Sequence, residues 1–164
     1  SEIEVVQATG TSSVTLKGNE LANSLIGNAA NNTMSGNNGD DRLDGGLGRD
    51  TLTGGNGKDS FVFSAALSVG NVDTIKDFKV VDDTIVLDKA VFSSLTLGQL
   101  SAESFAIGTQ AADASDRIIY DSSAGTLLYD TDGAGGEAAI QFATISKNLA
   151  MSYLDFVVED TLMT

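Results

Sequence analysis

Between Leu16 and Phe61 an apolar residue returns every nine positions, as Leu16, Leu25, Met34, Leu43, Leu52 and Phe61. That spacing is far too sparse for the apolar stripe of an amphipathic helix, which needs contacts every three or four residues. A fixed period instead places successive units in equivalent surroundings, one stacked on the next. Written from the apolar residue, the units read LKGNELANS (16–24), LIGNAANNT (25–33), MSGNNGDDR (34–42), LDGGLGRDT (43–51) and LTGGNGKDS (52–60), in register and without a gap. Two residues after each apolar position stands Gly18, Gly27, Gly36, Gly45 or Gly54, and the later units add Gly39, Gly46, Gly48, Gly55 and Gly57. Such glycines mark turns that need positive φ. The eighth position is Asn23, Asn32, Asp41, Asp50 and Asp59, so an amide gives way to a carboxylate along the array.

Each unit predicts a very short strand with its apolar residue inward, followed by a glycine turn that ends in an oxygen-bearing side chain. Two units complete one coil, and stacked coils form two parallel sheets back to back. Turns of alternate units then line opposite edges. The expected fold class is all-β: a short parallel β-roll of glycine-rich nonapeptide repeats, capped by an antiparallel β C-terminal part. Residues 1–63 are expected to hold an N-terminal cap and the roll, and residues 64–164 the β-rich cap.

Turns on one edge belong to units two apart and approach at about the 4.8 Å strand spacing. Two carboxylates that close cost on the order of 1 kcal/mol in water and several-fold more in a partly dry site. A cation between them reverses the sign. The chain has no His and no Cys, so a metal site here can be built only from oxygen. Carboxylates and the carbonyls of glycine turns suit calcium, which accepts 6 to 8 flexible oxygen ligands, better than the stricter magnesium. On one edge Gly36, Asn38, Gly39 and Asp41 should face Gly54, Gly55, Asn56, Gly57 and Asp59, with Asp41 and Asp59 sharing the best-held ion. On the other, Gly45, Gly46, Leu47, Gly48 and Asp50 should face Gly27 and Asn32, whose amide offers oxygen without charge and a weaker site. Asn23 is the poorest candidate, because Glu20, Leu21 and Ala22 stand where glycines belong; its turn reads as a cap. Several calcium ions are expected.

Beyond Phe63 the nonapeptide stops. Asp73–Phe78 and Asp82–Asp88 read as short strands closing the open end of the roll, as a solenoid requires. Asp73 or Asp77 completes a last calcium site on one reading and is a solvated turn carboxylate on the other. Residues 117–121, 126–130 and 139–143 predict an antiparallel meander with turns at 122–125 and 131–136. Asp130-Thr131-Asp132-Gly133 looks like the opening of a calcium loop, but no Glu stands at its far end and no helical pattern flanks it, which favours a hairpin turn. Residues 90–107 predict a short helical turn with Leu95, Leu97, Leu100 and Phe105 in the core. Residues 153–158 read as a last core strand, followed by an acidic, hydroxylated tail over 159–164.

Acidic residues outnumber basic ones 23 to 9, and a net charge of −14 argues against nucleic acid or an anionic membrane as partner. No run approaches a membrane span of about 20 apolar residues, and the first residues lack the basic-then-apolar order of a cleaved signal peptide. Paired carboxylates of the repeats are committed to metal, so no catalytic residue is assigned and the chain is read as a module rather than an enzyme.

The repeats, the DTIKDF segment at 73–78 and the DFVV end at 155–158 together resemble the C-terminal modules of RTX proteins, the haemolysin-type calcium-binding family. Residues 16–164 carry this likeness. It extends to the R-modules of mannuronan C5-epimerases and to the C-terminal roll of serralysin-type secreted proteins. The resemblance implies a non-catalytic, calcium-binding module, monomeric and extracellular, attached to an upstream domain of a larger secreted bacterial protein that can itself be an enzyme. A chain beginning with Ser1 rather than Met fits such an attachment. It further implies a C-terminal segment read by type I (ABC) secretion machinery, with calcium folding the module after export and stabilising its parent. The alternative is an auxiliary module that binds an extracellular, alginate-like polysaccharide. Lys17, Arg42, Arg49 and Lys58 lie on the repeats, although an anionic glycan calls for a denser basic stripe.

Overall fold

The structure, a computed structural model, describes residues 4–161. Its first seven strands are β1 (Glu4–Gln7), β2 (Thr15–Lys17), β3 (Asn23–Ile26), β4 (Thr33–Asn38), β5 (Arg42–Asp44), β6 (Thr51–Asn56) and β7 (Ser60–Phe63). They alternate between two sheets, β1, β3, β5 and β7 in one and β2, β4 and β6 in the other, with every neighbouring pair parallel. In β2 to β6 one apolar side chain, Leu16, Leu25, Met34, Leu43 or Leu52, packs inward, and these strands are three to six residues long. Register follows from that one residue. Leu25 pairs with Leu43 and Leu43 with Phe61, while Leu16 pairs with Met34 and Met34 with Leu52. The two apolar columns meet between the sheets, and Leu25, Met34, Leu43, Leu52 and Phe61 are fully buried.

Stacking continues where the nonapeptide ends. Strands β8 (Asp73–Ile75) and β9 (Thr84–Asp88) join the two sheets in parallel, with Leu52 opposite Ile75 and Phe61 opposite Ile85. Asp73-Thr74-Ile75 and Asp83-Thr84-Ile85 keep the order of the repeat, an Asp or Asn, a polar residue, then an apolar one. What changes is the connection, so these strands add a further coil to the roll instead of closing it with a different structure.

The remaining strands are β10 (Gly98–Gln99), β11 (Phe105–Ile107), β12 (Ile118–Asp121), β13 (Thr126–Tyr129), β14 (Ile140–Thr144) and β15 (Phe156–Glu159). β12, β13 and β14 form the expected antiparallel meander. Parallel pairing of β14 with β8 continues one sheet into the cap, and β15 sits between β9, to which it is parallel, and the antiparallel edge strand β10. Phe142 packs on Phe63 and Phe92 at centroid separations of 4.9 and 5.2 Å, so the apolar interior runs from the roll into the cap without a break. Over 90–107 the helical turn is a single 3-10 turn at Ala102–Ser104, and Leu95 and Leu100 are buried as expected. Leu97 is not a core residue. It is 60% exposed, in the bend that Gly98 makes with φ of +100° at the outer edge of the sheet.

Phe61 sits at the centre of this continuous interior, so truncating it leaves a cavity the stacked backbone cannot close. Phe61→Ala should lower stability by about 3–5 kcal/mol, read from urea denaturation under conditions in which the parent protein is folded. A loss below about 1 kcal/mol would show that the column is not the core.

Candidate metal centre

The turns 18–23, 36–41 and 54–59 stack along one edge, and 27–32 and 45–50 along the other. Two hydrogen-bonded columns run through them. On the first edge the backbone N–H of Asn23 donates to Asp41 Oδ1 at 2.7 Å, that of Asp41 to Asp59 Oδ1 at 3.0 Å, and that of Asp59 to Asp83 Oδ1 at 3.1 Å. On the second, the N–H of Val14 donates to Asn32 Oδ1 at 3.2 Å, that of Asn32 to Asp50 Oδ1 at 2.6 Å, and that of Asp50 to Asp73 Oδ1 at 2.9 Å. Asn32, Asp41, Asp50 and Asp59, and Asp73 and Asp83 beyond the repeats, therefore each brace the coil before through one oxygen.

The other oxygen differs between units. Oδ2 of Asp41, Asp50 and Asp59 is buried and accepts no hydrogen bond, although each residue is only 1% exposed. A buried acceptor left unpaired costs about 1–3 kcal/mol, and more when charged. These oxygens look onto the first glycine of their own unit. A Cβ on Gly36 would lie 2.2 Å from Asp41 Oδ2 and 2.6 Å from the Gly54 carbonyl oxygen, so two oxygens converge where no side chain fits. Gly45 and Gly54 hold the same place, their would-be Cβ atoms 2.4 Å from Asp50 Oδ2 and 2.3 Å from Asp59 Oδ2.

Electrostatics point the same way. Burial pushes the Asp59 carboxyl up to about 6, against a hydrogen bond from the Asp41 N–H and with help from the charges of Asp83, Asp41 and Asp77. Burial likewise raises Asp41 and Asp83. Asp50 and Asp73 face one another, and burial first, then their mutual repulsion, raises the Asp73 carboxyl; burial also raises Asp50. The fold thus holds carboxylates in places that disfavour their charge.

Unpartnered carboxylate oxygens, a pocket only glycine leaves open and an all-oxygen donor set fit a hard cation. No group of three side chains of His, Cys, Asp or Glu gathers round one point among the described residues, so turn carbonyls must supply much of any cage. Calcium accepts such a set.

The predicted residues fall as follows. Asp41 stacks under Asp59, and the 36–41 turn lies along the 54–59 turn, with Asn37 opposite Gly55 and Asn38 opposite Asn56. Asn38 and Asn56 turn their side chains outward, Asn56 Nδ2 donating to Asn38 Oδ1 at 2.8 Å, so only their backbone faces the gap. Gly39 and Gly57 bring their turns together: a Cβ on Gly57, at φ +134°, would lie 2.0 Å from the Gly39 carbonyl oxygen. Gly27, Gly46 and Gly48 sit against the neighbouring turn of the second edge, while the Leu47 side chain is exposed. Asp73 joins the Asp50 column. Asp77 accepts from the N–H groups of Gly54 and Gly55 at 2.9 and 2.8 Å, covering the last repeat turn. Asn32 departs from expectation: the atom it presents to the Gly45 turn is its amide nitrogen, not its oxygen. Asp83 lies outside the residues that the nonapeptide predicts; its signal is the Asp-Thr-Ile triplet it shares with Asp73.

The family model of the RTX calcium-binding nonapeptide repeat, which spans 4 copies, matches residues 17–52 and 35–64. That stretch is an array of RTX repeats. Among solved structures, the AlgE6R3 subunit of a mannuronan C5-epimerase from Azotobacter vinelandii is similar, with a TM-score of 0.58 at 23% identity over 96% of this chain and 84% of that one. The AlgE6R2 subunit from the same organism gives a TM-score of 0.54 at 20% identity, over 96% and 92% of the two chains. No curated protein matches the chain. These similarities show calcium-binding nonapeptide repeats over residues 17–64 and, for the chain as a whole, the fold of the epimerase R subunits.

Each raised carboxyl binds its proton more tightly in the fold than in the unfolded chain, where the value is 3.8. Its contribution is present in full below about pH 4 and is lost as pH rises through the folded value, about 6 for Asp59. Metal-free protein should therefore show more folded β signal at pH 5 than at pH 8 in far-UV circular dichroism, with the order of stability reversed in excess calcium, where protons compete with the ion. A metal-free protein that gains stability over that interval would contradict the unpaired state of these carboxyls.

Proposed function

We propose that the chain is a non-catalytic calcium-binding module of a larger secreted bacterial protein, which folds on calcium after export and stabilises the protein it belongs to. One observation carries this reading: three buried carboxylate oxygens, on Asp41, Asp50 and Asp59, have no partner. Without a cation the roll must bury unpaired charge at one-coil spacing; with calcium, the same oxygens tie successive turns together. Asp41 and Asp59 with the carbonyls of Gly36, Gly39, Gly54 and Gly57 would hold one ion. Asp50 and Asp73, with the 45–48 turn, would hold a second, and Asp59 with Asp83 a third.

An ion that binds only the folded state stabilises it by about 2.7 kcal/mol per site at a hundredfold excess over Kd. Extracellular calcium sites have Kd of roughly 10⁻⁴ to 10⁻³ M, which places the transition between the low calcium of the cytosol and the medium outside. Residues 1–63 then serve as N-terminal cap and roll, and 64–164 as the cap that carries the export signal. Type I (ABC) machinery would read the segment from β15 onward, including the acidic tail, whose residues 162–164 lie outside the described ones. Because β15 is enclosed between β9 and β10, such reading belongs to the unfolded chain. No helix among the described residues is long and apolar enough to cross a membrane.

A polysaccharide-binding role, suggested by the likeness to subunits of an enzyme that acts on mannuronan, finds less support. The basic residues of the repeats do not align: Lys17 has Ser35 beside it, and Arg42 lies between Ser24 and Ser60 and pairs with Glu159 at 3.1 Å. Arg49 donates to the Val69 carbonyl oxygen.

Far-UV circular dichroism of chelator-stripped protein, titrated with calcium and separately with magnesium, tests the proposal. Calcium alone should produce a cooperative gain of β signal, and Asp41→Ala combined with Asp59→Ala should need roughly tenfold more ion or beyond, as expected for loss of a charged ligand. A stripped protein already folded and indifferent to calcium would sink the folding switch.

A further inference from the structure

We infer that the gap between the 27–32 and 45–50 turns takes no calcium, because the Asn32 amide fills the ion's role there, and that ions are confined to the gaps served by Asp41, Asp50 and Asp59. The inference deepens the calcium-binding reading and rests on it. In every unit one atom of the eighth residue faces the first glycine. In units three to five it is an unpartnered Oδ2. In unit two it is Asn32 Nδ2, 2.9 Å from where a Cβ on Gly27 would stand and beside the Gly45 carbonyl oxygen.

That nitrogen donates to the carbonyl oxygens of Ala30 at 2.6 Å, Gly45 at 3.4 Å and Asn28 at 3.4 Å. Carbonyls only accept, so an amide turned the other way would set oxygen against oxygen. The outward end agrees, since Asn32 Oδ1 accepts from the N–H of Val14 at 3.2 Å. Two amide hydrogens thus draw together carbonyls of both turns, as a cation does, without its charge and in any medium. Asn32 is buried, 2% exposed, and its side chain has no unmatched atom.

The first gap on the opposite edge is closed in another way. There the amide turns its oxygen inward: Asn23 Oδ1 lies 2.2 Å from where a Cβ on Gly18 would stand, beside the Gly36 carbonyl oxygen, as the carboxylate oxygens do in units three to five. That oxygen has a partner, since it accepts from the N–H of Asn19 at 2.7 Å while Asn23 Nδ2 donates to Asn19 Oδ1 at 3.3 Å, which closes the 18–23 turn on itself. It carries no charge, so neither gap of the first coil buries an unpaired carboxylate.

Native mass spectrometry of calcium stoichiometry tests the assignment on the full chain. The unmodified protein should hold three ions, one for each unpartnered oxygen. Asn32→Asp should add one ion. Asp50→Asn should remove one. Four ions in the unmodified protein with no change on Asn32→Asp would overturn the assignment while leaving calcium binding intact. So would three ions retained by Asp50→Asn, which decides the matter if Asn32→Asp does not fold even with calcium. An unmodified protein that holds no calcium would instead overturn the calcium-binding reading itself, and this inference with it.

Discussion

A carboxylate has two oxygens, and in this roll they have separate duties. In Asp41, Asp50 and Asp59 one receives the backbone N–H of the equivalent residue a coil earlier, at 2.6–3.0 Å. The other is pressed into a gap lined by glycine and carbonyl oxygen. Neither duty can be given up alone. Moving the side chain to expose its free oxygen would break the N–H contact that joins the coils, and holding the contact buries the charge. Every other feature of the repeats accommodates this conflict: glycines supply the room, short strands bring turns into line, and single apolar residues keep the two sheets in step.

Much of this can be read from the chain itself, for a definite reason. When the inward residue recurs at a constant interval, pairing Leu25 with Leu43 also pairs every turn atom around them, so the facing of the 36–41 and 54–59 turns follows from spacing alone. Legibility fails where the interval does. Asp83 occupies the next place above Asp59, but its separation is 24 residues instead of 18, and Asp73 stands 23 beyond Asp50. Longer loops hide the period while leaving the strand triplet intact. The orientation of Asn32 is invisible for another reason: the two ends of an amide have the same shape, and only its surroundings say which is nitrogen. Leu97 is hard to place from sequence because a single glycine of positive φ, Gly98, follows it in a run that looks suited to the core.

The cap answers a different need. A roll of single apolar residues has a thin interior, and its last coil would leave Ile75 and Ile85 against solvent. Phe63, Phe92, Tyr129 and Phe142 replace aliphatic columns with aromatic rings in edge contact, 4.9–5.2 Å apart. Parallel pairing of β8 with β14 and of β9 with β15 prolongs both sheets of the roll, so its end is not an edge but a continuation. Such pairings join residues far apart in the chain, and no local pattern announces them.

Contacts between coils link residues eighteen apart, although the text repeats every nine. Changes in length are therefore quantised. A block of eighteen can be copied or deleted and both caps still meet strands of the right sheet. A block of nine would send β8 and β9 to exchange sheets, and Asp73 and Asp83 to exchange edges, setting each cap strand opposite the wrong partner. Growth of such an array by duplication proceeds in whole coils, and an odd number of added units needs a compensating half-coil elsewhere before the chain can close.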